Sequence, residues 1–264
     1  MRLTESDLKF IVATVAARRQ DHDHIVNLLR DKDDLLGPML DDPKLAERLV
    51  AEQEAFARIS PYLLFAVLLR RVQRDLEGQS FVLHRDARGK PIPVFEAPQA
   101  VELLGDSAMR EYLIEMLCSF VRANTRLLHW KEGRAWRKRK FSDVDMDDMM
   151  ALCQLVDPSI KPRLYKRIAD LALFLTGIYP EHASFFVRRP RSQGWRVVSD
   201  YEREGRHFYS VAAREPLPPW PASVFEALAE QFALVREVLN TLSEHYLKPL
   251  REQYFGQPAT EPLR

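Results

Sequence analysis

The chain has 264 residues, 46% of them hydrophobic, and 39 lysines and arginines stand against 38 aspartates and glutamates. That length and apolar content suffice for one large core or two modest ones, while the balanced charge excludes a global field drawing in nucleic acid or an anionic membrane; such a role needs a local patch. No apolar run reaches the ~20 residues that span a bilayer, so a soluble, cytoplasmic protein without membrane contact is expected.

Nine glycines against seventeen prolines favour helices separated by proline-marked joints. Thr4 and Asp7 form a capping pair for a first helix that turns Leu8, Ile11, Val12 and Val15 inward and ends near Arg19. A second helix is expected over 23–32, and Gly37-Pro38 breaks the pattern. Asp42-Pro43 and Ser60-Pro61 are cap and first-turn signatures. The first opens a helix carrying Leu45, Leu49, Val50 and Phe56; the second opens one that is apolar all round from Tyr62 to Leu69 and therefore central. Alternation over 81–95, around a turn at 86–89, reads as a hairpin whose Pro91 and Pro93 block one edge.

Helices resume over 98–104 and 106–126. A second hairpin is expected over 127–141, turning at Glu132-Gly133, and Ser142 is placed to cap the helix after it. The next helix spans 163–175, with Gly177 as its stop. Residues 183–199 read as irregular or as a third short hairpin, and Asp200 caps a helix to about Arg214. From Pro221 to Lys248, Phe225, Leu228, Phe232, Val235, Leu239, Leu242 and Tyr246 recur at steps of three and four, which predicts one helix about 40 Å long with a continuous apolar stripe. That stripe serves either as an internal seam or as a surface for homo-oligomer formation. The expected fold is mostly α: a multi-helix bundle with two or three short inserted β-hairpins, forming a single domain over 1–254 with a possible sub-division near 97–105 and a frayed tail over 255–264.

Three segments together resemble a family of uncharacterised bacterial helical proteins. They are the run Leu171 to Pro180, the residues Tyr201, Gly205 and Tyr209 at steps of four, and the run Val238 to Glu244. The resemblance, mainly over 163–247, implies a bacterial source and a helical fold and lends no activity.

The most unusual stretch is Lys131 to Phe141, where Lys131, Arg134, Arg137, Lys138, Arg139 and Lys140 give six basic residues against one acid. On an extended strand Arg134, Trp136, Lys138 and Lys140 alternate with Ala135, Arg137, Arg139 and Phe141, so neither face is apolar enough to lie on a core. A projecting ribbon of this kind suits phosphates and stacked bases. It also suits an acidic protein, or pairing with Asp143 to Asp148 within the chain. Arg70, Arg71, Arg74, Arg188, Arg189 and Arg191 extend the basic surface if they lie near.

Other constellations are weaker. Glu204 and His207 have the one-helix spacing of a diiron ligand pair but lack the second pair such a site needs. Asp21-His22-Asp23-His24 sits at a helix start, where acids serve as caps. Tyr201, Gly205 and Tyr209 put two rings and a gap on one helical face, which reads as close helix packing with Gly205 admitting a neighbouring backbone, or as a slot for a small ligand. Cys118 and Cys153, 35 positions apart, read as reduced core thiols. No nucleophile motif or phosphate-cradling glycine loop is present, so no catalytic residue and no cofactor is assigned. The expectation is a non-enzymatic regulatory or adaptor protein using the 129–141 hairpin on nucleic acid or an acidic partner. The alternative is an enzyme or small-ligand or metal-binding helical protein with a pocket between 200–214 and 221–248.

Overall fold

The computed structural model describes residues 2–31, 33–52, 58–85, 91–121, 125–132, 135–179 and 197–248, and of residues 33, 82–85, 91–94, 125–132 and 135–141 it describes the backbone alone. It is mostly helical and divides into two compact units, Met1–Cys118 and Ser119–Arg264. Among the described residues no helix is long and apolar enough to cross a membrane. The tail beyond 248 lies outside the described residues, as does nearly all of the segment where a third hairpin was considered.

The first unit is built on α1 (Glu5–Val15), α2 (His22–Asp31), α3 (Leu36–Leu40), α4 (Pro43–Ala51), α5 (Pro61–Leu76), α6 (Ala97–Gly105) and most of α7 (Ser107–Phe120). Between α5 and α6, β1 (Phe81–Arg85) and β2 (Pro91–Glu96) pair antiparallel, with a register irregularity between Val82 and Leu83. Leu63 to Leu69 are all buried, and α5 packs against α3, α4 and α6. The capping pair at the start of α1 does more than its spacing suggests. Asp7 is fully buried; its Oδ2 accepts from the backbone N–H and hydroxyl of Thr4, each at 2.8 Å, and its Oδ1 accepts the Ser60 N–H at 2.7 Å. Ser60 in turn caps α5 by accepting the Leu63 N–H at 3.2 Å. One carboxylate therefore fixes two helix starts.

Several local expectations for this unit change. Gly37 and Pro38 do not break a helix: they sit in the first turn of α3, where the missing proline N–H has no intrahelical partner to lose. Val50 is exposed at 58%, and Phe56 lies outside the described residues. Helix α7 stops at Phe120, since Thr125 and Arg126 already belong to a strand.

The second unit contains β3 (Thr125–Glu132), β4 (Ala135–Ser142), α8 (Met146–Cys153), α9 (Lys161–Ile178), α10 (Val198–Ala212), α11 (Ala222–Glu230), α12 (Phe232–Leu242) and a π-helical turn over Ser243–Leu247. Helix α9 is central: every residue from Ile168 to Ile178 is buried, and α8, α10 and α12 all pack on it. Gly177, read from sequence as a stop, lies inside α9. It is there because a Cβ would come within 2.7 Å of the Leu239 Cβ, so the α9–α12 crossing closes only over a glycine. Gly205 on α10 does the same for Phe232, whose ring a Cβ would meet at 2.4 Å.

The long helix expected over 221–248 is broken at Gln231, with φ −105° and ψ 23°. Neither glycine nor proline stands there. Arg206, next to Gly205, donates from Nε to the Ala229 carbonyl at 2.9 Å and from Nη2 to the Glu230 carbonyl at 3.0 Å. Those are the acceptors that Ala233 and Leu234 would use in an unbroken helix. The apolar stripe survives the break: Phe225, Leu228, Phe232, Val235, Leu239 and Leu242 are all fully buried within the chain. At the far end Lys248 N–H donates to the Ser243 carbonyl at 2.8 Å, a five-residue step that advances the register, so Leu247 is buried and Tyr246 only half-buried.

The core of this unit also holds polar groups. Asp170 is almost fully buried; its Oδ1 accepts from the Tyr209 hydroxyl at 2.9 Å and its Oδ2 lies 2.7 Å from the Lys166 ammonium. Ser243, fully buried, donates to the Ile178 carbonyl at 2.6 Å and so satisfies the end of α9.

These crossings predict a contrast among glycines. Gly177→Ala and Gly205→Ala should each destabilise by about 1–3 kcal/mol through overpacking, despite better helix propensity. Gly37→Ala, with no atom of another described element within 4 Å of the new methyl, should be neutral or stabilise by up to ~1 kcal/mol. Denaturant unfolding followed by circular dichroism ranks the three.

Candidate functional site

The basic stretch falls on β3 and β4. Lys131 lies in β3, and Trp136, Arg137, Lys138, Arg139 and Lys140 lie in β4; Arg134 is outside the described residues. The backbones pair antiparallel, with Leu127 opposite Lys140, Leu128 opposite Arg139, His129 opposite Lys138, Trp130 opposite Arg137 and Lys131 opposite Trp136.

The exit of β4 is tied down residue by residue. The Ser142 N–H donates to Asp148 Oδ2 at 3.0 Å. Asp145, not Ser142, is the N-cap of α8, with its Oδ1 accepting from the N–H groups of Asp147 and Asp148 at 3.0 Å each. Ser142 cannot take that role while its backbone is still paired with Thr125 in the strand ladder. Asp143 Oδ2 accepts from Arg167 Nη2 at 3.1 Å, and the same guanidinium lies 3.6 Å over the Phe120 ring and donates to Ser119 Oγ at 2.7 Å. The Phe120 ring stacks on Phe174 at 4.2 Å, so the anchor reaches the buried centre of α9.

The other sequence candidates separate. Arg70 pairs with Asp41 and Arg71 with Asp75, both at 2.9 Å, and Arg74 donates to the Asp41 carbonyl, all within the first unit. Arg188, Arg189 and Arg191 lie outside the described residues. The slot at Tyr201, Gly205 and Tyr209 is filled by the Phe232 ring. The acidic and histidine run at 21–24 is a helix start: Asp21 pairs with Arg19 at 2.6 and 2.8 Å, which holds its carboxyl down at about 2, and His22 Nε2 meets the Ala16 carbonyl at 3.0 Å. Among the described residues no group of three or more His, Cys, Asp and Glu is gathered closely enough to hold a metal ion, Glu204 and His207 included.

His207 instead lines a cleft of about 280 Å³ together with Met150, Cys153, Gln154, Lys161, Tyr165, Phe208 and Val211. It opens where the end of α8, the start of α9 and the middle of α10 meet. That is not the expected space between 200–214 and 221–248, where Tyr209, Phe225 and Phe232 are all fully buried and the Tyr209 ring lies 6.4 Å from that of Phe225 and 6.3 Å from that of Phe232. In the cleft Tyr165 stacks on Phe208 at 5.6 Å and His207 meets the same ring edge-on at 5.3 Å. No sequence motif announces this cleft, because its wall comes from three helices.

No family model, no curated protein and no solved structure matches the chain. The functional reading therefore rests on its own residues.

Both thiols are held in the protonated form. Burial, with Glu115 and Glu111 adding to it, pushes Cys118 up to about 12, and burial raises Cys153 against an opposing effect of Lys161. A raised acid gives stability that is full below the ordinary thiol value of 9.0 and is lost as pH rises toward about 12. Native-state stability is thus expected to fall across that window, and less steeply in Cys118→Ala. At about pH 8 a disulfide reagent should modify Cys118 slowly until denaturant is added, because its thiolate fraction is about a thousandfold smaller than that of a free thiol.

Proposed function

We propose that the chain is a non-enzymatic regulatory or adaptor protein that contacts nucleic acid through β3 and β4, acting as a projecting hairpin. The observation that carries this reading is the register of the two strands. Alternation along an antiparallel pair divides the positions into two sets. One set holds Leu127, His129, Lys131, Trp136, Lys138 and Lys140; the other holds Arg126, Leu128, Trp130, Arg137, Arg139 and Phe141. Each set contains three cations and one tryptophan.

Burying either set against an apolar core would desolvate several charges, which is costly unless each is paired. Two basic sets are suited to an anionic polymer that passes along the ribbon, with Lys131, Arg134, Arg137, Lys138, Arg139 and Lys140 meeting phosphates and Trp136 stacking on a base. The anchor formed by Asp145, Asp148 and Arg167 at the base of β4 supports such a role, since it ties the end of the ribbon to α8 and α9.

Fluorescence anisotropy with labelled single-stranded DNA, duplex DNA and RNA tests the proposal, with polyglutamate as a competitor. Binding should appear at low salt and weaken as salt rises, with a logarithmic slope of about −0.7 per phosphate contacted on single strands. Replacing Arg137, Lys138, Arg139 and Lys140 together by alanine should weaken it by at least about tenfold, and Trp136→Ala by about 1–3 kcal/mol. Absence of binding at low salt, or binding unchanged in the fourfold variant, overturns it. Polyglutamate binding without nucleic-acid binding transfers the ribbon to an acidic protein partner.

A further inference from the structure

The cleft at the junction of α8, α9 and α10 has a chemistry of its own. Much of its wall is apolar: Met150, Cys153, Tyr165, Phe208 and Val211 contribute thioether, thiol, ring and branched surface. Its polar lining consists of Lys161, His207 and the Gln154 amide, and among the described residues no carboxylate lines it. The lining therefore combines apolar surface with one ammonium and two further hydrogen-bonding side chains.

Helix ends do not decide the sign of this site. Cys153 ends α8 and Lys161 begins α9, so a negative and a positive dipole end meet there and offset each other. The Lys161 ammonium decides it. The Lys161 backbone N–H donates to the Pro158 carbonyl, but its ammonium has no hydrogen-bond or ion-pair partner among the described residues, in contrast to that of Lys166 one turn further on, which is held by Asp170. The Cys153 thiol is a poor nucleophile because burial keeps it protonated, so it acts as wall surface and not as a reactive group. Leu155 and Ile160, adjacent in sequence to Gln154 and Lys161, are exposed at 41% and 48% on the connection between α8 and α9.

We infer that this cleft is a binding site for a small organic anion with an apolar, preferably aromatic, body. The body lies against Tyr165, Phe208, Met150 and Val211, and the anionic head meets Lys161, with Gln154 and His207 as hydrogen-bonding neighbours. A volume of about 280 Å³ is at the lower end of small-molecule pockets, which suits one ring and a short chain and not a dinucleotide. The inference is independent of the strand pair, because none of the lining residues lies in β3 or β4.

The probe is 4-phenylbutyrate, with 4-phenylbutylamine as the matched cation, titrated into the full chain carrying 13C-labelled methionine methyl groups. The carboxylate should shift the Met150 methyl resonance, assigned from its loss in Met150→Leu, and the amine should not. Lys161→Glu should weaken the carboxylate by about tenfold or more and favour the amine. Val211→Trp should abolish binding of the carboxylate by filling the cleft, and Lys161→Glu keeps the test open should the tryptophan variant fail to fold. Three results overturn the inference: no movement of the Met150 resonance at ~10 mM carboxylate, equal shifts from acid and amine, or unchanged carboxylate affinity in Lys161→Glu.

Discussion

The second unit depends on a close approach at two adjacent residues of α10. Gly205 leaves the space that the Phe232 ring fills, and Arg206 takes the carbonyls at the end of α11. The two effects reinforce each other. The ring can enter only where there is no Cβ, and the chain can place the ring there only if the helix stops one residue earlier. Once the break at Gln231 is set, α12 runs along α9, Gly177 receives Leu239, and the apolar stripe closes on the unit's own core. A side chain at 205 or a shorter cation at 206 would disturb that arrangement at its origin.

Polar groups in this core add direction to what apolar packing alone leaves loose. Apolar contacts tolerate sliding, whereas a buried carboxylate must find its donors. Asp170 meets the Tyr209 hydroxyl across the α9–α10 contact and Lys166 one turn back on its own helix. Ser243 meets the Ile178 carbonyl from the other side. These contacts fix how α9 sits along two neighbours at once. They also explain why α9, with eleven consecutive buried residues from Ile168 to Ile178, contains an aspartate in an otherwise apolar run; the hydroxyl of its Thr176 is satisfied within the helix by the Ala172 carbonyl at 2.7 Å.

What could be read from sequence divides by the range of the interaction. Caps at Thr4, Asp42 and Ser60 are legible because donor and acceptor lie two or three residues apart. The apolar stripe over 221–248 is legible because periodicity reports which side is covered. The break at Gln231 is not, since its cause lies more than twenty residues away at Arg206, and Gly177 looks like a stop until Leu239 is beside it. The same holds for function. The basic stretch is visible as composition, whereas the cleft is assembled from α8, α9 and α10 and leaves no local pattern. His207 stood out only for a supposed partnership with Glu204, and its place in the structure is beside Tyr165, Phe208 and Lys161.

The shared carboxylate at Asp7 makes two distant helix starts one cooperative element. The amide at Ser60 is held by a residue 53 positions earlier, so its hydrogen exchange reports the docking of α1 and not the local fraying of α5. Opening of the first turn of α1 exposes both amides together, and any process that loosens residues 4–7 loosens the entry to the most enclosed helix of the first unit.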